Sequence, residues 1–257
     1  MNITTLTAKI QQNNPLDFGD IFSKSIDLFK KTWLQGFLFT ILSIVIMLPA
    51  ILIIYVPMFS MIAIQDFNQY EYGAYPDFPF MAMLPFFLLF LLAMILLNAI
   101  IFAMTAGFFK VMKKLDDDEE ASTGDIFMYV KGKYLGKTLV ISLMTIGISL
   151  LAALLCYLPI FYVMVPLNFA AAIFAFNPQL SASEVIRASF NIGTKKWLIG
   201  FGLIIVSSIL AELVGLLLCG IGVLFTAAFI YHPIYLMYKG VVGFEDGENA
   251  SEESPAT

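Results

Sequence analysis

Three isolated polar side chains are the residues of this chain whose types could support chemistry within a membrane. Glu212, Asn98 and Asn168 each lie in a long, largely apolar run. At a helical rise of about 1.5 Å per residue, counting from the nearest basic segment places them about 22, about 16–18 and about 14 Å into the bilayer. The three side chains could therefore meet as one polar cluster near the middle of the membrane.

Two interpretations of this cluster are open. An ionised carboxyl costs about 2.5–3.5 kcal/mol at the bilayer centre, so Glu212 should face the protein interior, where the cluster would be a proton or cation site. Alternatively, Glu212 is neutral and hydrogen-bonded and serves to hold helices together, or it lies close enough to the outer surface to be wetted.

The single histidine of the chain, His232, precedes Pro233. A proline leaves one helical carbonyl without a donor, so the sequence predicts that the His232 ring donates to that carbonyl. A proton relay is the other chemistry open to a membrane histidine. However, His232 and Glu212 differ in depth by about 12 Å, too far for a direct bond without strong tilt.

The rest of the sequence excludes most familiar active sites. It contains no Gly-rich phosphate loop, CxxC pair or HExxH motif, and no Ser/His/Asp set is recognisable. We therefore expect no enzyme, no metal and no cofactor, and the absence of a basic stripe argues against nucleic acid. The acidic run 116–120 is either a solvated linker or a divalent cation site. Cys156 and Cys219 are either small buried thiols or, if the outer face is periplasmic, a disulfide.

Composition identifies lipid as the solvent of this chain. Its 257 residues are 60% hydrophobic and only 13% charged, about half the charge fraction of a soluble domain. A membrane helix needs about 20 apolar residues, and prolines and glycines divide the apolar runs. The sequence therefore predicts an all-α polytopic membrane protein with six transmembrane helices, at residues 35–56, 82–106, 138–157, 160–177, 197–218 and 221–238.

The fourteen Lys and Arg residues all lie on one side in this threading. Four precede the first crossing, six lie in residues 110–137, three in residues 178–196, and Lys239 follows the last crossing. The positive-inside rule then places both termini in the cytoplasm, and we expect a bacterial inner-membrane protein. The first apolar run is too long for a signal peptide, which predicts an uncleaved anchor.

Each long basic segment also predicts an amphipathic helix, at residues 17–33, 123–137 and 181–196. Asn14 and Pro15 suit the start of the first helix. Ser122 with Asp125, and Ser181 with Glu184, have the spacing of capping boxes. The apolar stripe of such a helix packs either against the protein's own bundle or into the lipid interface.

These helices belong to an internal threefold repeat, with units at about 15–109, 121–177 and 181–239. Each unit predicts one amphipathic helix followed by a hairpin of two crossings. Trp33, Tyr134 and Trp197 occupy equivalent positions, where an aromatic ring suits the headgroup level. The sequence thus predicts one membrane domain over 1–242 and a disordered acidic tail over 243–257.

The stretches FGDIFSKSIDLFKKTW and SASEVIRASFNIGTKKW, followed by GIGVLF and YHPIYLMYKG, resemble a bacterial family. It comprises six-helix proteins related to the membrane domain fused to some glycerophosphodiester phosphodiesterases. The resemblance covers roughly residues 15–242 and implies a polytopic membrane protein without assigning catalytic residues. No soluble stretch is long enough to hold the phosphodiesterase domain. Some relatives carry a carotene oxygenase label, which a chain with one histidine cannot support because that iron site needs several.

Three functions remain to be compared. The first is a non-enzymatic protein that organises or regulates membrane or envelope components through its cytoplasmic helices, with the bilayer and envelope proteins as partners. The second is a small transporter or channel that uses Glu212, Asn98 and Asn168. The third, a lipid-modifying enzyme, has the least support in the sequence, which also leaves the oligomeric state open.

Overall fold

A computed structural model describes residues 1–12, 14–72, 80–155 and 157–244 of the chain. Throughout these residues the regular elements are helices, and no strand occurs. Five helices of the described chain are long and apolar enough to cross a membrane. The protein is therefore an all-α polytopic membrane protein, as the sequence predicted.

The helices follow one another with short connections. Two 3₁₀ turns, Thr123–Phe127 and Ala227–Ile230, interrupt the order. The α-helices are α1 Ile3–Gln11, α2 Phe18–Tyr72, α3 Phe80–Asp116, α4 Gly132–Leu154, α5 Leu158–Phe176, α6 Ala182–Lys195, α7 Trp197–Leu217, α8 Val223–Thr226 and α9 Tyr231–Val241. The five candidate crossings are α2, α3, α4, α5 and α7.

The predicted sixth crossing, residues 221–238, is not one continuous helix. It consists of α8, a 3₁₀ turn and α9. Cys219 and Gly220 reverse the chain before it with φ angles of 57° and 80°. Within it, Pro233 has no N–H to continue the ladder of helical hydrogen bonds. A sixth unbroken membrane helix is thus absent from the described structure.

The first amphipathic helix is not separate from the first crossing. Residues 18–72 form the single helix α2 of 55 residues, about 82 Å long. Asp17 rather than Asn14 caps it, since Asp17 Oδ1 accepts a hydrogen bond of 2.7 Å from the backbone N–H of Asp20. No proline interrupts residues 18–48, so nothing breaks the helix at Trp33. The predicted helix end there is wrong.

The second and third units differ from the first and from each other. Ser122 N–H does donate to Asp125 Oδ2 at 2.8 Å, but only a 3₁₀ turn follows before α4 begins at Gly132. The predicted helix over 123–137 is therefore wrong in its first half. In the third unit, Ser181 and Glu184 form the predicted capping box and start α6.

Helix α6 runs antiparallel to α5 and packs closely against it. Near the end of α6, the Thr194 and Tyr162 hydroxyls lie 2.7 Å apart. A Cβ added at Gly193 would lie only 2.4 Å from the Cα of Pro166. The buried side of α6 includes Val185 and Ile192. Of the two interpretations of its apolar stripe, packing against the bundle is the one that the structure shows.

We expect Gly193→Ala to lower the stability of the folded protein. The added methyl group must displace the α5 backbone, and overpacking of this kind costs about 1–3 kcal/mol. Thermal unfolding of the purified protein in detergent measures the effect. Gly147→Ala in α4 is the matched control because nothing lies within 4 Å of the added Cβ. Equal melting temperatures for the two variants would contradict the close packing of α6 on α5.

Candidate functional site

The basic segments of the chain meet at one face of the protein, which we call the basic face. Side chains from one segment bond to another segment across this face. The contacts are Lys239 Nζ to Asp116 Oδ2 at 2.6 Å, Lys31 Nζ to Asp118 Oδ1 at 2.5 Å, Lys196 Nζ to Asn14 O at 2.7 Å, and Lys137 Nζ to Pro178 O at 2.7 Å. The four segments that the sequence placed on one side of the membrane therefore lie together.

The N-terminal helix α1 covers part of this face, and sequence reasoning missed it. Its buried residues are Leu6 and Ile10, which stand one helical turn apart. Asn2 caps its start by accepting a 2.8 Å hydrogen bond from the N–H of Thr5. Lys195 Nζ donates to the carbonyls of Ile10 and Gln11 at 3.2 and 3.0 Å, so a cation satisfies the end of the helix. A capping Asn followed by apolar residues four apart was the signal.

Acidic residues 116–118 also take part in the basic face. Asp116 Oδ2 accepts hydrogen bonds from Tyr235 Oη at 2.8 Å and from Lys239 Nζ, and Asp117 pairs with Lys113 at 3.0 Å. Among the described residues, no group of His, Cys, Asp and Glu side chains is arranged to hold a metal ion. This part of the run therefore pairs with lysines and is more than a solvated linker.

His232 is a residue of α9 and is fully buried. Its side chain faces α2. Its Nδ1 lies 3.2 Å from the carbonyl oxygens of both Ala228 and Phe229. The Phe229 carbonyl is the one that Pro233 leaves without a helical donor, so the predicted role of His232 is confirmed. The sequence did not reveal the second partner: Thr32 Oγ1 of α2 lies 2.6 Å from Nε2.

These contacts fix the tautomer of the neutral ring. A carbonyl oxygen can only accept, so a neutral ring carries its proton on Nδ1, and Nε2 then accepts from the Thr32 hydroxyl. The single Thr32 proton lies closer to this acceptor than to the Leu28 carbonyl of its own helix, since the oxygen of Thr32 is 2.6 Å from Nε2 and 3.1 Å from that carbonyl. Three phenylalanine rings surround His232, with centroid distances of 5.6 Å to Phe29, 6.1 Å to Phe108 and 5.7 Å to Phe229. The arrangement joins α2 to α9 and surrounds the ring with aromatic side chains.

Asn98 and Asn168 both line one lateral cleft. The cleft lies between α3, α4 and α5 and has a volume of about 670 Å³. Thr105, Thr145 and Ser149 add hydroxyl groups, and Tyr231 closes one side. The other lining residues are apolar, and none of the lining residues carries a charge.

Glu212 does not join this cleft. It is exposed on α7, whose buried side is formed by Gly200, Leu203, Ile204, Ser207, Ala211 and Gly215. Consecutive residues differ by about 100° around a helix, so the residue after buried Ala211 turns outward. The predicted cluster of Glu212 with both asparagines is thus not assembled, which removes the acid from the proposed proton or cation site.

Polar groups in the cleft are partly satisfied by their own helices. Asn168 Nδ2 donates to Met164 O at 2.8 Å, Thr105 Oγ1 to Ile101 O at 2.9 Å, and Thr145 Oγ1 to Ser142 O at 2.9 Å. No hydrogen bond is found between the two asparagines in the described structure. Their amide oxygens remain as acceptors, so the cleft offers a neutral polar patch within an apolar surface.

The three equivalent aromatic residues have different surroundings. Trp33 is 46% exposed and lies 6.3 Å from the Phe225 ring. Tyr134 packs edge-on against Tyr129, with 5.1 Å between ring centroids. Trp197 Nε1 donates to the Tyr162 carbonyl at 3.1 Å. Their shared role at the headgroup level stays a prediction.

The two cysteines and the predicted acidic tail are described only in part, and Phe244, within the predicted tail, packs against Phe176 with 4.6 Å between ring centroids. Cys219 is exposed in the turn after α7, so the expectation of a small buried thiol is wrong for this residue. Cys156 lies outside the described residues, as does the tail from residue 245 onwards.

We expect Thr32→Val to destabilise the protein by about 1–2 kcal/mol, because it keeps the shape of the side chain but leaves buried His232 Nε2 without a donor. Thr40→Val, eight residues further along α2, is the matched control. The Thr40 hydroxyl bonds only to Gly36 O of its own helix, so its loss should change stability by less than about 0.5 kcal/mol. Thermal unfolding in detergent compares the two, and equal shifts would contradict the interhelical bond.

Comparison of the chain with known protein families, with curated proteins and with solved structures finds no match. The family resemblance of the helix-start motifs therefore stays a prediction. What the described residues do show is a helical membrane protein with a neutral lateral cleft and a closely bonded basic face.

Proposed function

We propose that this protein is a non-enzymatic membrane protein that binds an amphipathic molecule from the bilayer in the lateral cleft. By holding that molecule it organises or regulates components of the membrane or envelope. The observation that carries this proposal is the cleft itself: its volume is about 670 Å³, its walls are mostly apolar, and it contains the two asparagines.

The dimensions and chemistry of the cleft suit such a ligand. Binding pockets for small molecules usually measure about 300–1,000 Å³ and combine apolar walls with a few polar groups that set the orientation. The mouth is formed by residues that are themselves exposed, including Asn98, Ser149 and Leu150. A lipid tail would lie against Phe102 and Leu167, with a hydroxyl or amide of the ligand at Asn168.

A binding role also agrees with the uncharged lining. General acid–base catalysis requires a group that exchanges protons near the operating pH, and Tyr231 is the only titratable side chain among the lining residues described. The second candidate, a small transporter, is favoured by the position of both asparagines in the same cleft. The exclusion of Glu212 from that cleft favours a neutral cargo over a proton or a cation.

Location and orientation form part of the same proposal. We place the basic face in the cytoplasm of a bacterium, with both chain termini inside, because Lys and Arg are enriched in cytoplasmic loops. The support is that the basic segments bond to one another at one face, as Lys239 does to Asp116 and Lys196 does to Asn14.

Single-cysteine labelling tests this orientation in a chain whose own two cysteines are replaced by serine. We expect a cysteine at position 70 to react with a membrane-impermeant maleimide from outside spheroplasts. A cysteine at exposed position 118 should react only after the membrane is opened. Labelling of position 118 from outside would overturn the orientation.

Binding in the cleft is tested with Asn168→Leu and Asn98→Leu. Removing a polar partner of a bound ligand costs about 1–1.5 kcal/mol, so each variant should retain about tenfold less of its co-purified lipid in native mass spectrometry. Leu217→Phe is the control, since Leu217 is 83% exposed on α7, away from the cleft. Unchanged lipid retention in both asparagine variants would contradict the proposal.

A transport role gives a different result in the same variants. Purified protein in liposomes should then move a fluorescent lipid between leaflets faster than empty liposomes do. Asn168→Leu should slow that movement. Binding without any accelerated movement supports the non-transport function.

A further inference from the structure

A second cleft lies on the basic face, between the first third of α2 and the end of α9. Its volume is about 520 Å³. Residues one or two helical turns apart on α2 form one wall, and the ends of α3 and α9 form the other. The charged residues that line it are Asp17, Asp20, Lys24, Asp27 and Lys31 on the first side, and Asp116 and Lys239 on the second. We call it the charged cleft.

Most ion pairs of the charged cleft stay within one wall. Within α2, Lys24 pairs with Asp20 at 2.7 Å and Asp27 pairs with Lys30 at 2.8 Å, and both pairs are exposed. Lys239 pairs with Asp116 at 2.6 Å on the opposite side. Lys31 reaches Asp118 at one end. In the described part of the chain, no hydrogen bond or ion pair links Lys24 or Asp27 to α9. The middle of the cleft is therefore open between two charged walls.

The α2 pairs can exchange partners at little cost. The side chains of Lys24 and Asp20 are 62% and 54% exposed. Exposed ion pairs of this kind contribute little to stability, because water and salt compete for both charges. A ligand that brings its own phosphate and ammonium can replace them without leaving a buried charge unpaired.

Below the charges, the floor of the cleft is apolar. Ile21 and Leu28 are only 5% and 3% exposed, and the other uncharged lining residues are Pro15, Leu16, Leu236 and Gly240. The lining contains four aspartates and three lysines, so its formal charge is −1. A strongly anionic headgroup is disfavoured there, whereas a headgroup with one positive and one negative charge matches both kinds of side chain.

We propose that the charged cleft binds the headgroup of a zwitterionic phospholipid that carries a primary ammonium. Lys24 and Lys31 meet the phosphate, and Asp27 accepts hydrogen bonds from the ammonium. The source is a bilayer lipid, because the same helix α2 continues into the apolar segment that reaches Ala63. The apolar floor then receives the first part of the acyl chains.

This proposal is independent of the lateral cleft. The two clefts share no lining residue. The recognition also differs in kind, since the lateral cleft has neutral lining residues and the charged cleft recognises both charges of a headgroup.

Native mass spectrometry of the full chain in detergent tests the proposal with short-chain phosphatidylethanolamine, phosphatidylcholine and phosphatidylglycerol. The quaternary ammonium of phosphatidylcholine cannot donate a hydrogen bond, so we expect it to bind about tenfold more weakly than phosphatidylethanolamine. Phosphatidylglycerol should bind more weakly as well. Equal binding of all three lipids by the wild-type protein would overturn the proposal.

Substitutions test which side chain contacts the ammonium and which contact the phosphate. Asp27→Asn should reduce the preference for phosphatidylethanolamine over phosphatidylcholine about tenfold, whereas Lys24→Gln with Lys31→Gln should weaken both lipids. Lys133→Gln is the matched control, since Lys133 is an exposed lysine of α4 outside the cleft. If Lys133→Gln weakens binding as much as the double variant does, the attraction is a general effect of charge and the assigned site is wrong.

Soluble phosphoethanolamine separates the two possible sources of the headgroup. Without acyl chains it cannot use the apolar floor, so it should bind at least tenfold more weakly than the short-chain lipid. Equal affinity of the two compounds would show that the ligand is a free metabolite and would overturn the assignment to a lipid.

Discussion

A polar group without a partner costs far more in hydrocarbon than in water, and the folded chain is arranged around this cost. Pro233 removes one helical donor, and His232 Nδ1 occupies the gap left at the Phe229 carbonyl. The same ring accepts from Thr32 on α2. His232 therefore satisfies the carbonyl that Pro233 leaves free and also bonds to a second helix. The contact holds α9 against α2 among aromatic rings.

Lysines perform a related task at the basic face. Lys195 and Lys196 donate to backbone carbonyls at and just beyond the end of α1, and Lys137 donates to the carbonyl of Pro178. Burial lowers the pKa of Lys196, because desolvation disfavours its charged form. Basic residues that the positive-inside rule treats only as topological signals thus also connect the N-terminal helix, α6 and the loops to one another.

The two clefts differ in the charge of their lining residues. The lateral cleft has neutral lining residues, two asparagines and mainly apolar walls, which suits an amphipathic molecule taken from the bilayer. The charged cleft has both signs of charge above an apolar floor. Under the two proposals the protein holds lipids in two separate clefts, a role that would need no nucleophile, metal or proton relay.

The sequence by itself determined the helical membrane class and the sharing of one face by the basic segments. It also determined the capping of α6 and the role of His232 beside Pro233. These depend on local chemistry, namely apolar length, capping side chains and a missing N–H. Only the tertiary structure decided that Glu212 faces outward. Glu212 follows buried Ala211 directly, and which side of an apolar helix is buried depends on how that helix packs. The tertiary structure also decided that Thr32 meets His232 across 200 residues of chain, since such a pairing depends on how helices pack and leaves no trace in sequence spacing.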